Sequence, residues 1–309
     1  MGYLRDGIWN TGWYEPDAQG AFQRPITQFR NQPSDIVAGR YHLYVAWACP
    51  WAHRTLITRS LRGLSHAISV TVVGSLMGDD GWPIRPEDPD PNCDARFMRE
   101  IYLAANPRYT GRVTVPVLWD REARTIVNNE SREVMRMLDV AFAPLALNPL
   151  EPSLAPPELV TEIDRVLDAI YHPVNNGVYR AGFATSQGAY GTAVREVFAA
   201  LAQWDAVLAK QPFLCGDRMT EADVALFTTL LRFDLVYYAH FKCNLKRLRD
   251  HVHLWRFTRQ MYQHPGIRPT CQLDEIKAHY SWSQIAINPT RVIPVGPSLE
   301  AELLEPLGQ

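Results

Sequence analysis

The sequence predicts two domains of different class, an α/β domain first and an all-α helical bundle second. Three observations lead there. Between Tyr41 and Gly74 a strand, a sharp turn, a helix and a second strand follow one another. Beyond residue 158 apolar residues recur at helical spacing in one segment after another. Between these regions APLALNPLEPSLAPP (143–157) carries five prolines and one charge, the composition of a linker.

Residues 1–40 are rich in Gly, Pro and aromatic side chains such as Trp9, Trp13 and Phe22, and hold no sustained period of either kind. They read as an extended arm packed on the surface. From Tyr41, YHLYVA is short, aromatic and β-branched, as a buried strand should be. It runs into ACPWAHRTLITRSLRGL, where Pro50 suits the first helical position because the helix would leave that N–H unpaired anyway. Leu56, Ile57 and Leu61 give this helix an apolar face, and Gly63 ends it. AISVTVVG (67–74) is a second strand, so the pair flanks one helix and runs parallel. Residues 77–94 form a long loop punctuated by Gly78, Gly81, Pro83, Pro86, Pro89 and Pro91, and loops of that length inside compact domains are commonly functional. A helix from about residue 94 to 105 follows. VTVPVLWD (113–120) and TIVN (125–128) then read as an antiparallel pair around a turn at 121–124, and a further helix opens at Asn129 or Glu130. The order β-α-β-α-β-β-α, with a cysteine at the first strand-to-helix turn and Val-Pro opening the third strand, is the thioredoxin-like pattern. This domain spans 41–142.

Residues 158–285 read as the all-α domain. Leu159, Ile163, Val166, Leu167 and Ile170 share one helical face, and similar patterns recur at 189–210, 221–238 and 245–262. Thr220 caps the third of these, with Asp223 reaching back in the manner of a capping box. Residues 286–309 close the chain as an extended, proline-rich tail.

A formal net charge of -2 supplies no global field to draw the chain to nucleic acid or to an anionic membrane, and neither partner is expected. The first twenty residues carry Arg5, Asp6, Glu15 and Asp17 where a secretory signal needs an apolar run, and no stretch approaches the roughly 18 apolar residues of a membrane span. The expected location is the cytoplasm. Asp6 stands where a myristoylation signal wants Ser or Thr. The five cysteines are an odd, widely spaced set with no C-x-x-C pair, which argues against a disulfide framework and a structural zinc site; no metal is expected.

Cys49 is the sharpest chemical feature. It stands where a strand ends and a helix begins, so free N–H groups and the positive end of the helix dipole point at its sulfur. Such placement lowers a thiol pKa from about 8.5 into the range of roughly 3.5 to 7.5. Packing in the core is the other common fate of a free cysteine, and it is the expected one for Cys93, Cys215, Cys243 and Cys271. Ala52 occupies the position where a second cysteine would close a disulfide, so any redox cycle at Cys49 must recruit an external thiol. In thioredoxin-like folds the proline matching Pro116 is cis and frees the preceding backbone amide, here that of Val115, for a peptide-like ligand. Glu130 and Ser131 offer a carboxylate, a hydroxyl and exposed amides at a helix start, which serves capping and ligand binding alike. Trp82 and Arg85 lie in the proline-rich loop, where an arginine either pairs with a ligand carboxylate or stays in solvent. His53 lies a full turn past Cys49 and reads as helix packing, while His251 and His253 do not face one another.

Taken in order, ACPWAHRTLI around Cys49, DGW at Trp82, VPVLWD, IVNNES, NNGVYRAGFA at Tyr179, RFDLVYYAHFKCN at Tyr237, and HY with INP at Tyr280 resemble the glutathionyl-hydroquinone reductases. These form the Xi class of the glutathione transferase superfamily, and the resemblance covers nearly the whole chain. It implies the glutathione transferase architecture and a homodimer. It implies glutathione as co-substrate, bound by Trp82, Arg85, Val115, Glu130 and Ser131, and an aromatic substrate lined by Tyr179, Tyr237 and Tyr280. It also implies a cycle in which the Cys49 thiolate takes the glutathionyl group from a glutathionyl-hydroquinone and a second glutathione resolves the mixed disulfide, leaving as oxidised glutathione. SWS after Tyr280 departs from members that carry a second Tyr and a Ser-His there. Tyr179 reads as part of a loop between helices, Tyr237 ends a helix and Tyr280 lies near the end of another. Two alternatives stand beside this reading: an Omega-like thioltransferase or dehydroascorbate reductase, and a non-catalytic glutathione-transferase-like interaction module, which has no use for a reactive thiol.

Overall fold

Asp6 and Gly7 turn the chain back on itself almost at once. In the computed structural model, which describes residues 2–307, both sit at positive φ, as a two-residue hairpin turn requires, and β1 (Gly2–Arg5) pairs antiparallel with β2 (Ile8–Thr11). The segment 1–40, expected as an extended arm, therefore begins as a hairpin. Strands of four residues are too short for an alternation pattern to stand out, and only the Asp-Gly pair signals them.

The chain divides into two compact units. The first gathers the chain up to Trp13, Arg24–Pro152 and Asp274–Ser283; the second holds Tyr14–Gln23, Ser153–Leu273 and the chain from Gln284 on.

In the first unit β3 (Tyr41–Val45) is buried at every residue. α1 (Pro50–Leu61) carries the chain to β4 (Ser69–Val72), which pairs parallel with β3. α2 (Met98–Ala105) starts four residues later than expected, because Asp94 sits at positive φ and Phe97 is extended at the N-cap. β5 (Gly111–Arg112) joins the opening hairpin beside β1. β6 (Val117–Asp120) lies antiparallel to β3, and β7 (Thr125–Asn128) antiparallel to β6, giving the mixed sheet order β4-β3-β6-β7. α3 (Ser131–Arg136) runs on into a π-helical turn, Met137–Ala141, and packs against α1. The thioredoxin-like order expected from the sequence is present.

The second unit is helical. α4 (Val160–Ile170) continues as a π-helical turn, Tyr171–Asn175, that feeds α5 (Gly177–Gly182), and α6 (Gln187–Leu208) follows. α7 (Glu221–Arg232) is buried at every position, which places it at the centre of the bundle. Its start carries the Thr220/Asp223 capping box. A further π-helical turn, Phe233–Tyr237, ends it, and α8 (Val252–Gln263) packs against both α6 and α7.

Two segments behave differently from the sequence-based division. α9 (Leu273–Ser283) falls inside the stretch 158–285 expected as one helical domain, yet its residues from Asp274 cluster with the first unit. The cause is a set of bonds to residues 75–85: Met77 N–H donates to Ser283 Oγ at 2.9 Å, and His279 Nδ1 lies 2.8 Å from the Ser75 carbonyl. The tail 286–309, expected to be extended throughout, forms α10 (Glu300–Leu303), which buries Leu303 and packs on α8. Among the described residues no helix is long and apolar enough to cross a membrane.

Candidate active site

Cys49 owes its position to the end of β3. The strand stops at Val45, the Cys49 N–H donates back to the Ala46 carbonyl at 3.2 Å, and the residue becomes the N-cap of α1 with φ -78 and ψ 118. Pro50 at the first helical position needs no partner for a missing N–H, and the Cys49 carbonyl accepts the first helical bond from His53 N–H at 2.9 Å. The first turn holds no acidic residue, so the positive end of the helix meets no opposing carboxylate there. Positive charge gathers one turn away instead. Two guanidinium groups lie over the Trp51 ring, Arg24 at 4.8 Å and Arg54 at 4.5 Å from its centroid. Cys49 is partly exposed and its Sγ lies 3.5 Å from the Val115 carbonyl.

The other four cysteines are free thiols of another kind. Burial pushes Cys93 and Cys215 up to about 11, and Cys243 and Cys271 up to about 12. At neutral pH they are protonated, and the second pair is buried. His53 is buried in α1.

The Val115 contact ties Cys49 to the entry of β6, where the Val115–Pro116 peptide bond is cis. Glu130 is the N-cap of α3, its Oε1 accepting from Arg132 N–H at 3.3 Å, and Ser131 is the buried first residue of that helix. Thr27, which no sequence pattern pointed to, donates its hydroxyl to Glu130 Oε2 at 3.1 Å. It comes from the arm, 103 residues away in sequence, so only the fold brings it near.

Trp82 and Arg85 occupy the loop as expected, but neither is loose. The Trp82 ring is buried and stacks on His279 of α9, with centroids 4.7 Å apart and planes at 15°. Arg85 donates from Nε to the Val73 carbonyl at 3.3 Å and from Nη2 to Glu275 Oε1 at 2.8 Å. Glu275, missed by the sequence reading, is thus the protein carboxylate paired with the arginine that was expected to meet a ligand carboxylate or solvent. A separation of 190 residues left no local signal.

In the second unit Tyr179 lies inside α5, which corrects the loop expected there. Asn and Gly neighbours argued for a loop, whereas the π-helical turn containing Pro173 delivers the chain already helical. Tyr237 is the last residue of the turn that ends α7. The two hydroxyls are 3.5 Å apart, and Tyr179, Phe183, Tyr237 and Phe241 pack with ring centroids 5.2 to 5.9 Å apart. Tyr14 and Phe22 of the arm add to this cluster through Phe183. Tyr237 belongs to a π-helical turn and Tyr179 follows one, and such turns are frequent at functional sites. Tyr280 is buried on α9, in the first unit with the Trp82 loop. Among the described residues no group of His, Cys, Asp and Glu could hold a metal ion.

Comparisons with known proteins identify the family. The family model for the glutathione S-transferase N-terminal domain matches residues 48–141, and that for the C-terminal domain matches residues 158–268. The chain is 47% identical to the glutathionyl-hydroquinone reductase YqjG of Escherichia coli, over 96% of this chain and 95% of that protein. It is 44% identical to the glutathionyl-hydroquinone reductase PcpF of Sphingobium chlorophenolicum, over 96% and 97% of the two chains. Among solved structures, a Xi-class glutathione transferase from Natrialba magadii superposes with a TM-score of 0.91 at 48% identity, covering 99% of this chain and 95% of that one. The glutathione-bound structure of YqjG gives 0.87 at 46% identity, covering 99% and 98%. With its thioredoxin-like unit, its helical unit and a single cysteine at the first helix start, the chain belongs to the glutathione transferase family, in the Xi class of glutathionyl-hydroquinone reductases.

Proposed function

We propose that this chain reduces glutathionyl-hydroquinones to hydroquinones at the expense of glutathione, with Cys49 as the nucleophile. The observation that carries the reading is the placement of Cys49. It is a partly exposed thiol at a helix start, against the Val115 carbonyl, while burial holds the other four thiols protonated. The Cys49 thiolate attacks the glutathionyl sulfur, the bond between that sulfur and the aromatic carbon breaks, and the carbon takes up a proton to give the hydroquinone. The product on the enzyme is a Cys49-glutathione disulfide. A second glutathione attacks it as thiolate, regenerates Cys49 and leaves as oxidised glutathione. The glutathionyl sulfur is oxidised and the aromatic carbon reduced, so the cycle needs no other redox partner.

Glutathione suits the candidate groups of the first unit. Its cysteinyl amide pairs with the Val115 main chain as an added extended segment would. Its γ-glutamyl ammonium meets the Glu130 carboxylate, and the adjacent carboxylate meets the Ser131 hydroxyl and amide. Its glycyl carboxylate meets Arg85 beside Trp82. The hydroxyls of Tyr179, Tyr237 and Tyr280 orient the quinol oxygens and relay the proton to carbon. The reading includes a homodimer, as the class implies, and the cytoplasm, where the reduced glutathione that the cycle consumes is maintained.

The test is turnover with defined products. Purified protein supplied with a glutathionyl-hydroquinone and glutathione should release hydroquinone and oxidised glutathione in equal amounts. A higher specificity constant for dehydroascorbate than for any glutathionyl-hydroquinone in a panel would move the assignment to the thioltransferase alternative.

A further inference from the structure

Arg85 is held from one side only. Nε reaches the Val73 carbonyl, Nη2 reaches Glu275 Oε1, and no described residue accepts from Nη1. Glu275 itself is in the first turn of α9, and its second oxygen, Oε2, is buried with no hydrogen-bond partner. Among the described residues nothing else bonds this carboxylate, and its strong bond is to the arginine. The same helix fixes the loop around Arg85 at three further points: the Trp82 ring against His279, His279 Nδ1 at the Ser75 carbonyl, and the Ser283 hydroxyl accepting from Met77 N–H. Glu275 therefore acts from a helix anchored to the loop it serves. A guanidinium is planar, and a bond to Nη2 together with one to Nε fixes the direction in which the Nη1 edge points. With the Nε bond alone, at 3.3 Å, the end of a long side chain is free to swing.

We propose that Glu275 is a positioning residue for the glutathionyl moiety: by holding Nη2 of Arg85 it aims the Nη1 edge at the glycyl carboxylate. The inference rests on the reading that Arg85 receives that carboxylate, and it assigns to α9, nearly 200 residues further along the chain, a part in recognising the tripeptide. The hydrogen bond matters more than the charge, because a neutral acceptor at the same place aims the guanidinium equally well.

The experiment compares two probes on the full-length protein, S-methylglutathione and its glycyl amide, by titration calorimetry. The wild type should bind the acid about tenfold more tightly than the amide, the scale of one charge-assisted hydrogen bond. Glu275→Ala should reduce this ratio to about twofold or less, and should raise KM for a glutathionyl-hydroquinone while leaving kcat within about twofold; a merely structural defect, by lowering the active fraction, lowers kcat and leaves KM and the ratio alone. Glu275→Gln should keep the wild-type ratio, since its amide oxygen still accepts from Nη2. Glu275→Ser, expected to behave as Glu275→Ala does, is measured alongside so that one poorly folding variant does not decide the matter. Arg85→Ala should bring the ratio to about one. A wild-type ratio in Arg85→Ala overturns the glycyl reading itself. Loss in Arg85→Ala with a wild-type ratio in both Glu275→Ala and Glu275→Ser overturns the positioning role alone, as does a Glu275→Gln that behaves like Glu275→Ala.

Discussion

In the first unit each candidate group is set by the course of the main chain: the Cys49 sulfur by an N-cap, the Val115 carbonyl by the entry to β6, Glu130 by the start of α3. Around Tyr179 and Tyr237 the placing is done by rings, which come from α5, the turn after α7, Phe241 and the arm, and which meet edge to face or stacked. The first arrangement is written in short stretches of sequence, because a strand end or helix start is a local event. The second depends on packing of distant segments, so a small change in volume is felt at once. One unit is therefore most sensitive to the loss of a particular atom and the other to a change of shape.

The largest effect expected from this contrast is at Cys49. Cys49→Ser should abolish glutathionyl-hydroquinone reduction, since a hydroxyl does not form an anion near neutral pH, while the thermal midpoint and the binding of S-methylglutathione stay at wild-type values. Substantial turnover in the purified variant would move the chemistry to another residue.

Shape is tested at Gly182, where an added Cβ would lie 2.3 Å from the Phe241 ring. Gly182→Ala should cost about 1 to 3 kcal/mol by overpacking and should lower turnover, while the rate of Cys49 alkylation stays unchanged. A variant with the stability and kinetics of the wild type would show that the aromatic cluster yields easily and would erase the contrast.

Two buried groups, one in each unit, should also answer acid in opposite directions. Burial, aided by Arg121, holds the His42 imidazole down at about 3. As pH falls below the ordinary value of about 6.5, the unfolded chain binds a proton that the folded sheet refuses, so the first unit loses stability over that interval. Burial pushes the Asp223 carboxyl up to about 6. Between that value and its ordinary 3.8 the folded state holds a proton that the unfolded chain does not, so this contribution grows as pH falls and is lost as pH rises through about 6. Hydrogen exchange, corrected for intrinsic rates and read as the difference between the wild type and the matched variant, should show His42 making β3 amides open more readily at pH 5 than at pH 7, and Asp223 making α7 amides open less readily against the opposite pull of the buried His240 and His251. His42→Gln should remove the first response, and Asp223→Asn the second. A His42→Gln or Asp223→Asn variant with the pH response of the wild type would contradict the assignment.

The smallest effects are expected from the hydroxyls. Tyr179→Phe and Tyr237→Phe each remove one oxygen from a packed ring, so each should cost about 0.5 to 1.5 kcal/mol in transition-state binding, roughly two- to tenfold in kcat/KM, with the fold unchanged. Wild-type kinetics in both would leave these tyrosines with packing alone.

Legibility in the sequence follows the same divide. The parallel strand pair around α1, the N-cap cysteine, the turn at 121–124 and the Thr220/Asp223 capping box could be read because each rests on a few consecutive residues with one geometry available to them. The motif order was also specific enough to carry the family resemblance. The helix around Tyr179 was hidden by its Asn and Gly residues, since a π-helical turn upstream does what local propensity opposes. The pairing of Arg85 with Glu275 and the stacking of Trp82 on His279 had no sequence signal, because helical period tells which face of α9 is apolar and not which loop that helix meets. Thr27 on Glu130 escaped for the same reason, as an irregular arm offers no period to read.

A single-cysteine cycle at the start of α1 makes one direct demand. Wild-type protein mixed with a glutathionyl-hydroquinone and no free glutathione should stop after one turnover, with one hydroquinone released per chain and one glutathione attached. Intact mass followed by peptide mapping should place that glutathione on Cys49, with Cys93, Cys215, Cys243 and Cys271 unmodified. An internal disulfide, or glutathione found on any of those four cysteines, would contradict the account.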